Sequence, residues 1–113
     1  MQKEDLFYLE HIRECITRIQ QYTYYFSEDD FVNNTLVQDA VIRNFEIIGE
    51  ATKKLSSPFK DKYSYIEWRR IAEMRDKLIH DYIGVDIRAV WAVVADILPE
   101  LRKQIDQIIE QEK

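Results

Sequence analysis

The stretch Trp68-Arg69-Arg70-Ile71-Ala72-Glu73-Met74-Arg75-Asp76-Lys77-Leu78-Ile79-His80-Asp81-Tyr82 decides the fold class. At about 100° per residue around a helix, Trp68, Ile71, Leu78 and Tyr82 all fall within roughly 60° of Arg75. They form one apolar stripe with an arginine in its middle. The pattern predicts a helix over residues 65–82, opened by a Ser64/Glu67 capping box and stopped at Gly84 as the C′ residue. A guanidinium cannot lose its charge, so Arg75 needs a partner at that position.

The same periodicity extends in both directions. Leu9, Ile12, Ile16, Ile19, Thr23 and Phe26 mark a first helix, and Ser27 with Asp30 marks a capped restart. Asn33-Asn34 interrupts before a second stripe of Val37, Val41, Phe45, Ile48, Thr52 and Leu55. Gly49 lies beside that stripe and is expected to permit close helix approach, while Ser56-Ser57-Pro58 ends the element. Residues 58–64 read as a connector of mixed charge. After the third helix, Asp86 is an N-cap candidate for a fourth, with Ile87, Val90, Trp91, Val94, Leu98, Leu101, Ile105 and Ile108 inward. Pro99 inside this pattern should kink it or begin a new turn. The reading is an all-α, four- to five-helix up-and-down bundle in one domain, residues 1–113.

Composition agrees: two Gly, two Pro and 46% hydrophobic residues in 113 suit one helical core. No apolar run is long enough to span a membrane, no signal pattern opens the chain, and Cys15 stands alone. Together these predict a cytoplasmic protein without an intrachain disulfide and with no membrane partner. The net charge of −5 argues against nucleic acid, but its distribution is uneven. Residues 53–77 carry eight Lys/Arg against four Asp/Glu, whereas residues 1–52 carry four against ten. Such a strip could hold a few phosphates, or be an ordinary solvated face paired with the acidic first half.

Most familiar chemistry is missing. The sequence has no glycine-rich phosphate loop, and two His with one Cys cannot assemble a standard zinc set. His11 and Cys15 share an i, i+4 spacing that is more often structural than metal-binding, and Tyr22, Tyr24 and Tyr25 are more often core and rim than base-stacking residues. Arg75 and His80 differ, although on an ideal helix they point about 140° apart. They meet at one phosphate only if the helix unwinds near His80 or if a second subunit completes the site. Cleaving RNA without a metal needs a base for the 2′-oxygen, an acid for the leaving 5′-oxygen and a cation for the charged phosphorane. A twofold dimer would bring two His80 and two Arg75 to one cleft. In the competing reading Arg75 pairs with a carboxylate across the bundle, and His80 is a surface residue favoured by the helix dipole.

Arg75-x4-His80-x-Tyr82 resembles the Arg-x4-His-x-Tyr motif of HepT-like toxins, minimal members of the HEPN nuclease superfamily. Residues 38–51 with their Gly49-Glu50-Ala51 block, Trp68-Arg69, Met74-Arg75-Asp76, residues 80–86, Val90-Trp91 and residues 98–101 resemble that family as well. The resemblance implies a homodimer with a metal-independent, cofactor-free endoribonuclease site at its interface. Arg75 and His80 would be catalytic, Asp76 and Asp81 supporting, and the RNA products would carry 2′,3′-cyclic phosphate and 5′-hydroxyl ends. It further implies a type VII-like toxin-antitoxin pair in which an MNT-type nucleotidyltransferase neutralises the toxin by transferring AMP to Tyr82. Negative charge added two residues from His80 would oppose RNA phosphate in the cleft. The alternative is a catalytically silent helical partner of a nucleotidyltransferase.

Overall fold

The computed structural model describes residues 3–113, the side chain of Tyr82 excepted. In chain order the elements are α1 (Lys3–Thr23), α2 (Glu28–Val32), α3 (Thr35–Lys54), α4 (Ser57–Lys62) and α5 (Trp68–His80). A 3-10 turn (Tyr82–Gly84), α6 (Ile87–Ala92), a π-helical segment (Val93–Ile97) and α7 (Leu98–Glu112) complete the chain. The fold is all-helical, with no strand among the described residues.

Each long helix buries the stripe its spacing demands. Leu9, Ile12, Ile16 and Ile19 from α1, Val41, Phe45 and Ile48 from α3, and Leu98, Ile105 and Ile108 from α7 form the core. Thr23 and Thr52 are also buried, and each disposes of its hydroxyl by donating to the carbonyl four residues back, at 2.8 Å. Helix α1 packs on α3 and α7, and α3 packs in turn on α5. Direction follows from pairs at the helix ends. Asp5 at the start of α1 accepts hydrogen bonds from the Ser56 backbone N–H and hydroxyl, both 2.7 Å, just beyond α3. Arg102 near the start of α7 donates to Gln20 near the end of α1 at 2.9 Å. Helix α1 therefore runs antiparallel to both neighbours.

Local signals set most boundaries. Ser27 accepts from the Asp30 N–H while the Asp30 carboxylate accepts from the Ser27 N–H, a complete capping box opening α2. Asp86 caps α6 by accepting from the N–H groups of Arg88 and Ala89. Three expectations require correction. Residues 58–64 are largely the short helix α4, capped by Ser56 and anchored by buried Phe59. The Ser64/Glu67 box does not form, because α5 begins at Trp68 with no side-chain cap. Buried Ile66 and Trp68 draw that segment inward instead. Helix α5 ends at His80 rather than residue 82, and Gly84 has no positive φ. Its N–H donates to the Asp81 carbonyl at 2.9 Å to close the 3-10 turn.

Pro99 sits in the first turn of α7, directly after the π segment. The Leu98 N–H donates to the Val93 carbonyl, a five-residue step that shifts the hydrogen-bond register just before the proline that lacks an N–H. A new turn thus begins without ending the rod. No helix of the described residues is long and apolar enough to cross a membrane.

Candidate active site

Aromatic packing fixes where α5 begins. Trp68 is buried, lies 5.8 Å from the Phe59 ring and donates its indole N–H to the Tyr63 carbonyl at 3.1 Å. The Tyr63 hydroxyl donates to Glu112 at 2.7 Å, and Lys62 reaches the same carboxylate at 2.9 Å. These bonds hold the end of α7 against α4. Burial, then the bond to Glu112, pushes the Tyr63 phenol up, while Lys62 and Tyr63 hold the Glu112 carboxyl below its ordinary range.

One helical turn beyond Ile71, Arg75 meets α3 at Gly49. A Cβ on Gly49 would overlap the Arg75 Cβ and lie 2.8 Å from its Cγ, so only glycine admits this approach. The stem is pinned there, with the guanidinium running between two carboxylates. Its Nη2 lies 3.1 Å from Glu50 of α3 and its Nη1 lies 3.0 Å from Asp76. Asp76 also binds Lys53 of α3, and the hydrogen bonds from Lys53 and then Arg75 hold its carboxyl below the usual range. Arg75 is 28% exposed, and its Nε is buried without a hydrogen-bond acceptor. The partner that this arginine requires is therefore an acid of its own chain across the helix seam. Glu50 and Lys53 were not singled out from sequence as site residues; the signal was Gly49, whose close approach had to bring its neighbours to the facing helix.

His80 is exposed on the last residue of α5. The helix does not unwind before it, since the Asp81 N–H still donates to the Lys77 carbonyl at 2.9 Å. One of the two routes by which Arg75 and His80 could converge is thereby removed within a single chain. Asp81 is exposed and caps α5 through its backbone, beside a hollow of about 490 Å³ shared with Lys77, Asp86 and Val90. The Tyr82 backbone enters the 3-10 turn, so the helical-wheel position that aligned it with Arg75 no longer applies; its side chain lies outside the described residues.

The basic stretch is mostly paired. Lys53, Lys62, Arg69, Arg70 and Arg75 make ion pairs, whereas Lys54, Lys60 and Lys77 make none among the described residues. His11 is exposed and packs edge-on against Phe7, and Cys15 is buried, its thiol pushed up chiefly by desolvation. Tyr24 and Tyr25 are exposed rather than core residues and stack edge-to-face at 4.7 Å.

The comparisons with known proteins bear on this geometry. Residues 12–108 match the model of a family described as ribonuclease HepT-like. A "Gamma-glutamylcyclotransferase and putative RNase" of Methanocaldococcus jannaschii is 48% identical over 98% of the chain, which spans half the length of that relative. A "Putative RNase" of Caldanaerobacter subterraneus is 44% identical, covering 94% of this chain and 95% of its own. A "Probable ribonuclease HepT" of Thermococcus cleftensis is also 44% identical, over 89% and 92%. No solved structure matches the chain.

Proposed function

We propose, since this chain belongs to the family of HepT-like ribonucleases, that it is a metal-independent endoribonuclease acting through Arg75 and His80 at the interface of a homodimer. The observation that carries this reading is the unbroken helix from Arg75 to His80. One chain keeps the two side chains on separate faces, with the imidazole exposed. A second α5 related by a twofold axis supplies the missing direction, so that His80 of one subunit faces Arg75 of the other across a shared cleft. In that cleft one imidazole takes the 2′-hydroxyl proton, the second returns a proton to the leaving 5′-oxygen, and Arg75 stabilises the charge on phosphorus. Attack by the 2′-oxygen leaves a 2′,3′-cyclic phosphate and a 5′-hydroxyl.

Glu50 and Asp76 keep the guanidinium oriented in the absence of RNA, and an arriving phosphate exchanges with Glu50, which is half exposed. The chain then serves as the toxin of a toxin-antitoxin pair, with Tyr82 the acceptor of AMP from an MNT-type nucleotidyltransferase. Incubation with that enzyme and ATP should add AMP to the wild type and not to Tyr82→Phe, read by mass spectrometry; AMP on Tyr63 or Tyr65 would reassign the acceptor.

A second reading, a silent helical partner of the nucleotidyltransferase, is favoured by one observation: two carboxylates already neutralise Arg75. Incubating the purified chain with total RNA and EDTA separates the two. Fragments with cyclic phosphate ends are expected, and intact RNA would favour the silent partner.

A further inference from the structure

A hollow of about 620 Å³ opens between the end of α3, α4 and the first turns of α5, beside the Arg75 cluster, with which it shares Lys53. Lys53, Lys60, Arg69 and Arg70 line it, against Asp61 and Glu67. A local excess of cations is unusual in a chain of net charge −5. We infer that this hollow holds backbone phosphates of the RNA strand whose reacting bond lies at Arg75, an inference that rests on the ribonuclease reading above.

Three observations lead there. First, the cations are available. Lys60 has no ion pair among the described residues, and the side chains of Arg69 and Arg70 are 93% and 78% exposed. Their acids, Glu73 at 3.2 Å and Glu67 at 3.4 Å, lie on or beside the same helix and in solvent, where such pairs are weak and exchange readily for phosphate. Second, the exposed Ser57 and Ser64 hydroxyls on the same wall can donate to phosphate oxygens. Third, the hollow is continuous with the site. Lys53 forms part of its wall and binds Asp76, whose other partner is Arg75. A strand seated in the hollow passes from Lys60 and Arg69 to Lys53 and reaches Arg75 next. Contacts of this kind carry charge but read no base, so they raise affinity without setting sequence preference.

The test is fluorescence anisotropy of the full chain with a 2′-O-methylated oligoribonucleotide, which has no free 2′-hydroxyl to attack, titrated across salt concentrations. The double variant Lys60→Gln/Arg69→Gln should bind roughly tenfold more weakly at low salt. Its log–log salt slope should flatten by about 1.4, since each single-strand phosphate that is no longer neutralised accounts for about 0.7. Lys60→Arg/Arg69→Lys should bind as the wild type does. Unchanged affinity and slope in the Gln variant, at a wild-type melting temperature, overturn the inference. An equal loss in Arg88→Gln/Lys103→Gln, which lies outside the hollow, overturns it too, by tracing the effect to net charge. Weakened AMP transfer with undiminished RNA binding would also overturn it and give the surface to the nucleotidyltransferase. Cleavage by the wild-type chain is scored separately: RNA cut by the wild type and bound unchanged by the Gln variant removes this inference and leaves the ribonuclease reading. RNA bound through the hollow but never cut removes the ribonuclease reading, and with it the reacting bond at Arg75, and leaves only the phosphate contacts of the hollow.

Discussion

Helices α3 and α5 carry comparable amphipathic stripes, yet α3 buries seven residues along its length and α5 only Trp68 and Leu78. Helix α3 lies between α1 and α5, so two sides of it are covered. Helix α5 rests chiefly on α3, leaving Ile71 and Met74 half-buried and Ile79 exposed. A groove of about 510 Å³ beside it is lined by Ile71, Met74, Val93, Ile97 and Tyr65. The difference teaches that α3 serves stability, whereas α5 is held firmly at its Trp68 end and along the Gly49 seam, presenting the rest outward. On the proposed ribonuclease reading, a helix left open on this side is one that a polymer can reach.

Substitutions on the two helices sharpen or break this contrast. Ile48→Ala on α3 should cost about 2–5 kcal/mol, as for other fully buried isoleucines. Ile71→Ala on α5 should cost clearly less, and equal losses in chemical denaturation would erase the distinction. Next in size is Gly49→Ala, which forces α3 from α5 and should destabilise by about 1–3 kcal/mol. Gly84→Ala meets nothing within 4 Å and should be neutral or slightly stabilising, since no positive φ is required there. A melting temperature unchanged by Gly49→Ala would show that the seam is not tight. Away from both helices' faces, Asp5→Ala removes the acceptor for the Ser56 N–H and hydroxyl and should cost about 1–3 kcal/mol.

The smallest effect belongs to pH. Asp76 is held below its ordinary range, so its ion pairs with Lys53 and Arg75 stabilise the fold fully above the unfolded aspartate value, about 3.9. That contribution disappears as pH falls through the lower folded value. Melting temperatures of wild type and Asp76→Asn should differ slightly at neutral pH and converge in acid. A gap that widens in acid would reverse the sign and contradict the pairing.

Much of this was legible in the sequence because it is local. The α1, α3 and α7 stripes, the Ser27 capping box and the Asp86 cap depend on residues within a turn or two of one another. Helix α4 is not legible in the sequence because Ser57–Lys62 is too short to show a period and is held by Phe59 packing on Trp68. The π segment was hidden because its hydrogen-bond register is a backbone property that no residue type announces. At the site, the need of Arg75 for a partner could be read, but not that Glu50 would meet it, since the answer lay on another helix. Gly49 was the nearest clue. Gly84 suggests a left-handed cap and so an end at residue 82, whereas α5 stops two residues earlier, short of the stripe position that the periodicity assigns to Tyr82.

The central claim is that Arg75, at the Gly49 seam, and His80, exposed at the end of α5, together perform RNA cleavage across a dimer interface. Cleavage of a labelled RNA in EDTA by wild type, Arg75→Ala and His80→Ala, each with its melting temperature and solution mass, tests it most directly. The account predicts a loss of roughly 10²–10⁴-fold in His80→Ala, as for a general acid-base group, and of roughly 10²–10³-fold in Arg75→Ala, as for a donor that stabilises transition-state charge, with dimers and cooperative melting retained. Cleavage at the wild-type rate by a folded His80→Ala dimer would contradict it.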